Sequence, residues 1–69
     1  MRVEPHLTGR ERDILELVAV GKTTREIAGA LHLSQGTVKK HLSSIFRKLE
    51  VTNRTEAAIA ALYSLPRGE

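Results

Sequence analysis

The chain has 69 residues, which is enough for one small domain with a modest core and leaves no room for a second. Hydrophobic residues make up 41% of the chain and charged residues 28%, a balance that excludes a disordered segment, and no apolar run approaches the length of a membrane span. The absence of cysteine excludes disulfides, thiolate metal sites and nucleophilic thiols. Residues 1–6 lack the apolar stretch of a secretory signal, so we expect a cytoplasmic protein.

Positive charge is concentrated in the middle of the chain. Between Lys22 and Arg54 there are seven basic and two acidic residues, whereas each flank carries a net charge of −1. A basic centre between acidic ends indicates a surface for a polyanion. A solvated basic helix face is the alternative that charge alone leaves open.

The first helix is predicted to begin after Thr8. Thr8 and Glu11 have the spacing of a capping box, in which each side chain hydrogen-bonds the backbone amide of the other residue. The helix is expected to run to about Val20, and Gly21 follows where a left-handed C-terminal cap is needed. Its buried stripe comprises Ile14, Leu17 and Val18.

A second capping box, Thr23 with Glu26, predicts a short helix to about Leu31. Only residues 32–34 separate it from the next helix, a length typical of the steep crossing in a helix-turn-helix. We expect His32 to adopt the left-handed conformation of this turn, since histidine is enriched in that region. The apolar positions of the second helix are Ile27, Ala28 and Leu31.

Ser34 is predicted to cap a third helix at about 35–49, and Asn53 a fourth that ends at Leu62 or Tyr63. The third helix has an apolar stripe of Val38, Leu42, Ile45, Phe46 and Leu49. No segment alternates with a period of two residues, so the fold class is all-α, a four-helix bundle with a helix-turn-helix. We expect the domain to span 7–64, with tails at 1–6 and 65–69 in which Pro66 and Gly68 end the order.

The third helix has a basic face opposite its apolar stripe. That face comprises Gly36, Lys40, Ser43 and Arg47, flanked by Lys39 and Ser44. One edge carries Thr37, His41 and Lys48. Lysine, arginine and hydroxyl groups match the hydrogen-bonding groups of the DNA major groove, so the face suits base readout and the edge suits phosphates. The helix starts near Thr24 and Asn53 also offer amides to phosphate oxygens.

Catalysis and metal binding find no support in the residue pattern. His41 and Ser43 lie two apart and cannot face each other on a helix, and no carboxylate is placed to orient the imidazole against Ser44. The three histidines lack metal-ligand spacing, and no glycine-rich phosphate loop occurs. We therefore expect a protein that is not an enzyme and has no cofactor, metal or small-molecule ligand.

Several segments together resemble the LuxR-type helix-turn-helix domain over about residues 7–62. These segments are Leu7-Thr8-Gly9-Arg10-Glu11, Glu26-Ile27-Ala28, Leu33-Ser34, Thr37-Val38-Lys39-Lys40-His41, Ile45, Lys48-Leu49 and Arg54-Thr55-Glu56-Ala57. The resemblance implies sequence-specific binding of double-stranded DNA as a dimer by a bacterial transcription regulator. It implies either the output domain of a NarL/FixJ-type response regulator from a two-component system or a small stand-alone member.

The resemblance assigns DNA contacts to particular positions. Matching positions place Lys39, Lys40 and Ser43 at bases and Thr37, His41, Thr23 or Thr24, and Arg54 at the backbone. From the charge of the face and its edge we add Arg47 and Lys48 to the backbone set. The chain departs from the family pattern at Gly9, where proline is frequent, and at Glu50, where glycine is frequent. If Glu50 is left-handed, the cost is roughly 1–2 kcal/mol.

The fourth helix is apolar nearly all round. If Ala57, Ala58, Ala61 and Leu65 face the core, then Ile59, Leu62 and Tyr63 are left outside, a surface expected to join two copies on DNA. Two alternatives stay open: a sigma-factor-like helix-turn-helix that docks on RNA polymerase, and a helical protein-interaction module without DNA binding.

Overall fold

The computed structural model describes residues 6–64, which form four α-helices and no strand. The helices are α1 (Gly9–Ala19), α2 (Thr24–Leu31), α3 (Gln35–Leu49) and α4 (Arg54–Ser64). The all-α class is therefore confirmed, and α4 extends slightly beyond its expected end. The expected tails, and with them Leu65, Pro66 and Gly68, lie outside the described residues except for His6. None of the described helices is long and apolar enough to span a membrane.

Every helix start is capped by a side chain, as predicted. The hydroxyl of Thr8 accepts from the amide of Glu11 at 3.0 Å, and the Glu11 carboxylate accepts from the amide of Thr8 at 2.9 Å. The same reciprocal pair opens α2. Such caps satisfy amides that have no partner within the helix. The four capping side chains are those of Thr8, Thr23, Ser34 and Asn53, each accepting from the amide three residues ahead at 2.9–3.1 Å.

Three helix ends share one left-handed geometry. Gly21, His32 and Glu50 have φ angles of 89°, 60° and 59°, and in each case the next residue donates its amide to the carbonyl five positions earlier. The left-handed conformations expected at Gly21 and His32 are confirmed. Glu50 is also left-handed, so α3 ends at Leu49 despite the absence of glycine, at a cost of roughly 1–2 kcal/mol.

The core lies where α1 packs against the other three helices. Its five largest fully buried side chains are aliphatic, and burying each stabilises the fold by about 1.5–3 kcal/mol. The core residues are Ile14, Leu15, Val18, Ile27, Ala28, Val38, Leu42, Ile45, Ala57 and Ala61. Leu17, Leu31, Phe46 and Leu49, predicted as apolar stripe positions, are only partly buried. The apolar face of α3 is therefore held inward, and its opposite face lies at the surface.

A buried carboxylate adds a polar connection between α1 and α3. Glu11 is 4% exposed, and besides its cap it accepts from the Ser44 hydroxyl at 2.7 Å and from the Lys48 ammonium at 2.8 Å. Burial alone raises the pKa of Glu11, but the hydrogen bonds from Lys48, Ser44 and Thr8 and the charge of Lys48 outweigh it and lower the pKa from 4.5 to about 2. Glu11 is therefore held ionised.

The cap of α3 provides a direct test of how this helix begins. Ser34→Ala removes the acceptor for the Thr37 amide and is expected to lower the free energy of unfolding by about 0.5–2 kcal/mol. Ser43→Ala is the matched control, because Ser43 is exposed in the middle of α3. Thermal unfolding followed by far-UV circular dichroism measures both. A melting curve of Ser34→Ala that matches the unaltered chain would contradict this role.

The lowered pKa of Glu11 predicts a pH-dependent stability. Since folding depresses the pKa, the contribution of Glu11 is fully present above about pH 5 and is lost as the pH falls through 4.5 towards 2. Between pH 7 and pH 2, the unaltered chain is expected to lose about 2–3 kcal/mol more unfolding free energy than Glu11→Gln. Urea unfolding across this range checks it, and parallel pH profiles for the two proteins would disprove the account.

Candidate nucleic-acid interface

The outward face of α3 presents cations that have no partner within the part of the chain the structure describes. Lys39, Lys40, Ser43 and Arg47 are all exposed, and none of their side chains forms a hydrogen bond or ion pair with another residue of 6–64. This face lies opposite Val38, Leu42 and Ile45, which are buried. The charge of the face is therefore available to an external anion.

Gly36 lies on this face near the start of α3, and it has no side chain to pack against the rest of the domain. A Cβ atom added there would meet only the Ser34 hydroxyl, at 3.9 Å. The packing of the domain therefore does not require a glycine at this position. The missing side chain leaves room on the outer surface, beside Lys40.

The turn at His32 sets how this face is presented. The left-handed residue lets α3 begin after a linker of only three residues, and the small Ala28 of α2 is buried in the core. The imidazole of His32 is exposed, which agrees with its interpretation as a turn residue. The α2–turn–α3 unit has the form of a helix-turn-helix.

The starts of α2 and α4 are brought together by Arg54. Its guanidinium donates to the Thr24 hydroxyl at 3.4 Å and to the backbone carbonyl of Lys22. Thr23, the capping residue of α2, lies beside this contact. Three residues predicted at the DNA backbone therefore form one cluster, although Arg54 lies 30 or more positions from the two threonines in the sequence. The cluster places two helix starts and a guanidinium on one side of the domain.

Thr37 and His41 lie one turn apart along an edge of α3, and both are partly buried. The Thr37 hydroxyl is held by the Ser34 hydroxyl at 3.0 Å. Ser34 thus contacts both the amide and the side chain of Thr37. The edge predicted to meet phosphates begins at a helix start that the Ser34 side chain caps.

Lys48 is placed differently from the other predicted backbone contacts. Its ammonium donates to the Glu11 carboxylate at 2.8 Å and to the carbonyl of His6 at 3.0 Å. Sequence reasoning missed this arrangement because it treated Glu11 only as a cap. No local pattern signals a contact between residues 37 positions apart. The structure therefore gives Lys48 a role within the domain.

The fourth helix divides into a buried and an exposed side as predicted. Ala57 and Ala61 are buried and Ala58 is partly buried. The exposed side carries Ile59, Leu62 and Tyr63, with exposures of 54%, 53% and 78%. Large apolar side chains at this exposure form a small hydrophobic patch. We refer to these three residues as the α4 patch.

The described residues offer no metal site, since no group of three His, Asp or Glu side chains lies close enough together within 6–64 to hold an ion. The arrangement instead combines a cationic helix face, a hydroxyl-rich edge and an apolar patch. Its chemistry suits recognition of an extended anion.

A family model described as bacterial regulatory proteins, luxR family, matches residues 5–61. The chain is 56% identical over 61 residues to the uncharacterized transcriptional regulatory protein YvfU of Bacillus subtilis, covering 88% of this chain and 30% of that protein. It is 44% identical over 59 residues to the spore germination protein GerE of the same organism, covering 86% and 80%. The chain thus spans less than a third of YvfU but most of GerE.

A solved structure agrees with these matches. One chain of the crystal structure of the anti-activator RapF complexed with the response regulator ComA DNA-binding domain superimposes with a TM-score of 0.80 and 51% identity. The superposition covers 83% of this chain and 98% of that chain.

Proposed function

Since the chain belongs to the luxR family of bacterial regulatory proteins, with the fold of its helix-turn-helix DNA-binding domain, we propose that α3 enters the major groove of double-stranded DNA and reads a specific sequence. The observation that carries this proposal is the exposed face of α3, whose cations have no partner among residues 6–64. An α-helix fits into the major groove, where guanine presents two hydrogen-bond acceptors to lysine or arginine.

We assign base readout to Lys39, Lys40 and Ser43. They project from the exposed face of α3, and only Ser34 lies near the space that Gly36 leaves open there. The short hydroxyl of Ser43 beside the two lysines supports close approach of the helix to the base edges. Each good base contact is worth about 1–3 kcal/mol of discrimination against the wrong base.

The DNA backbone contacts fall into two groups. One is the Arg54 cluster, in which Thr23, Thr24 and Arg54 lie together at the starts of α2 and α4. The other is the edge and outer end of α3. Its members are Thr37, His41 and Arg47. We leave Lys48 out of the backbone set because its ammonium is paired with the buried Glu11 carboxylate.

The α4 patch supports a homodimer on DNA. Three large apolar side chains, each more than half exposed, gain free energy when a second copy covers them. The patch is too small for a stable dimer in solution, so we expect the free domain to be largely monomeric. DNA then brings two copies together on half-sites about 10 bp apart.

We make a separate proposal for the whole protein to which this domain corresponds. The chain spans only 30% of YvfU, so a further domain, such as the receiver of a NarL-type two-component response regulator, fits the missing length. We propose a non-enzymatic regulator that acts in the cytoplasm and contacts RNA polymerase when it activates transcription. The domain itself requires no cofactor for this role.

Base readout by Lys40 is tested against phosphate contact by Arg47. Sequences selected from random duplex supply a preferred site, and a scrambled duplex supplies the reference. Lys40→Ala is expected to weaken the preferred site by about 1–3 kcal/mol while leaving the scrambled duplex nearly unchanged. Arg47→Ala is expected to weaken both duplexes alike and to lower the salt slope by about 1.

Fluorescence anisotropy titrations at several salt concentrations measure both quantities. Glu16→Ala is the control, because Glu16 is exposed on α1 and is not among the residues assigned to the DNA contact. If Lys40→Ala weakened both duplexes by the same factor, α3 would not read bases through this face.

Dimerisation through the α4 patch is tested with Ile59→Glu. The substitution is expected to leave the fold intact, since Ile59 is 54% exposed, and to abolish cooperative binding to paired half-sites. Val20→Glu is the matched control: it adds the same charge at an apolar side chain that is 69% exposed at the end of α1. Equal affinity of the unaltered chain for single and paired half-sites would refute the dimer.

A further inference from the structure

Lys48 is the one cation of α3 that is paired with an acid among residues 6–64. Its ammonium lies 2.8 Å from the Glu11 carboxylate, whose side chain is 5% exposed, while the Lys48 side chain is 31% exposed. An ammonium has three donors, and two of them are used here, on Glu11 and on the carbonyl of His6. Lys39, Lys40 and Arg47, on the same helix, have no such partner within the described chain.

Breaking this pair to reach a phosphate is unfavourable. The carboxylate of Glu11 would stay buried with its counter-charge removed, and an uncompensated buried charge is costly. A contact between an exposed lysine and a DNA phosphate gains less free energy than breaking the pair costs, because water and salt screen it. The pair should therefore persist when the domain binds DNA.

Keeping one cation away from the DNA phosphates changes the specificity of binding, because phosphate contacts strengthen binding to every sequence alike. Each phosphate neutralised adds about 0.9 to the dependence of log affinity on log salt, whatever the sequence. A free lysine on the edge of α3 would raise binding to random DNA without improving discrimination. The number of free cations thus helps set the ratio of specific to non-specific affinity.

We propose that Glu11 is a specificity-determining residue: by holding Lys48 against α1 it keeps this cation off the DNA backbone and limits non-specific binding. This inference rests on the proposed DNA binding. In this proposal a buried carboxylate of α1 acts by preventing a DNA contact. Ser44, whose hydroxyl donates to the same carboxylate, helps to hold Glu11 in place.

The test uses Glu11→Gln, Lys48→Met and the double variant. Glutamine keeps the size of Glu11 and its capping role but releases the ammonium. Glu11→Gln is expected to bind a scrambled duplex roughly 3–8-fold more tightly at low salt, with a salt slope steeper by about 1. The double variant should return to the slope of the unaltered chain. Lys48→Met alone should leave the slope unchanged.

Glu16→Gln is the matched control, because it removes the same charge from an exposed position on α1 without freeing a lysine. Its salt slope is expected to match that of the unaltered chain. Far-UV circular dichroism establishes that each variant is folded. If Glu11→Gln does not fold, the slope of Lys48→Met decides the question.

Two results would overturn the proposal. One is a slope for Lys48→Met that is lower by about 1 while Glu11 is present, which would mean that Lys48 reaches a phosphate. The other is a folded Glu11→Gln whose slope is unchanged. If the unaltered chain bound neither duplex at low salt, the proposed DNA binding would fail and this inference with it. If the unaltered chain binds both duplexes with a salt-dependent affinity and one of the two contrary results is found, only the inference about Glu11 fails and the proposed DNA binding stands.

Discussion

The reversal of the chain at His32 is the constraint on which the rest of the domain depends. A left-handed residue there ends α2 and lets α3 begin after only three residues, a linker length typical of the steep crossing in a helix-turn-helix. Val38, Leu42 and Ile45 then point into the core, and the opposite side of α3 has to face outward. The exposed cationic face follows from this turn combined with the helical period. A longer linker would leave that orientation undetermined.

The sequence predicted the parts of the fold that local chemistry controls. The four caps and the left-handed residues at Gly21 and His32 each involve residues within five positions, so their patterns are visible in the chain. The contacts that the sequence did not reveal join distant residues: Lys48 with Glu11 across 37 positions and Arg54 with the Lys22 carbonyl across 32. Such pairs depend on how helices pack, and a single sequence does not record it. The exposed face of α3 was predictable because it needs only the helical period.

Polar side chains in this domain fall into two groups with different tasks. One group satisfies the backbone and holds helices together, as Glu11 and Arg54 do through bonds to hydroxyls, carbonyls and an ammonium. The side chains of the other group, on the outer side of α3, have no partner within 6–64, so their charge is available to a ligand. Positive charge counted from the sequence therefore overstates the charge available at the interface. One of the seven basic residues between Lys22 and Arg54, Lys48, is paired with a carboxylate inside the domain.

Tyr63 has a spectroscopic consequence. The chain contains no tryptophan and one tyrosine, and that tyrosine is 78% exposed on α4. Its ring already meets water in the folded state, so intrinsic emission changes little when the domain unfolds. A second copy seated on α4 would desolvate the ring and alter its emission. If two copies join through the α4 patch as proposed, the emission of Tyr63 reports that association and changes little when the fold is lost.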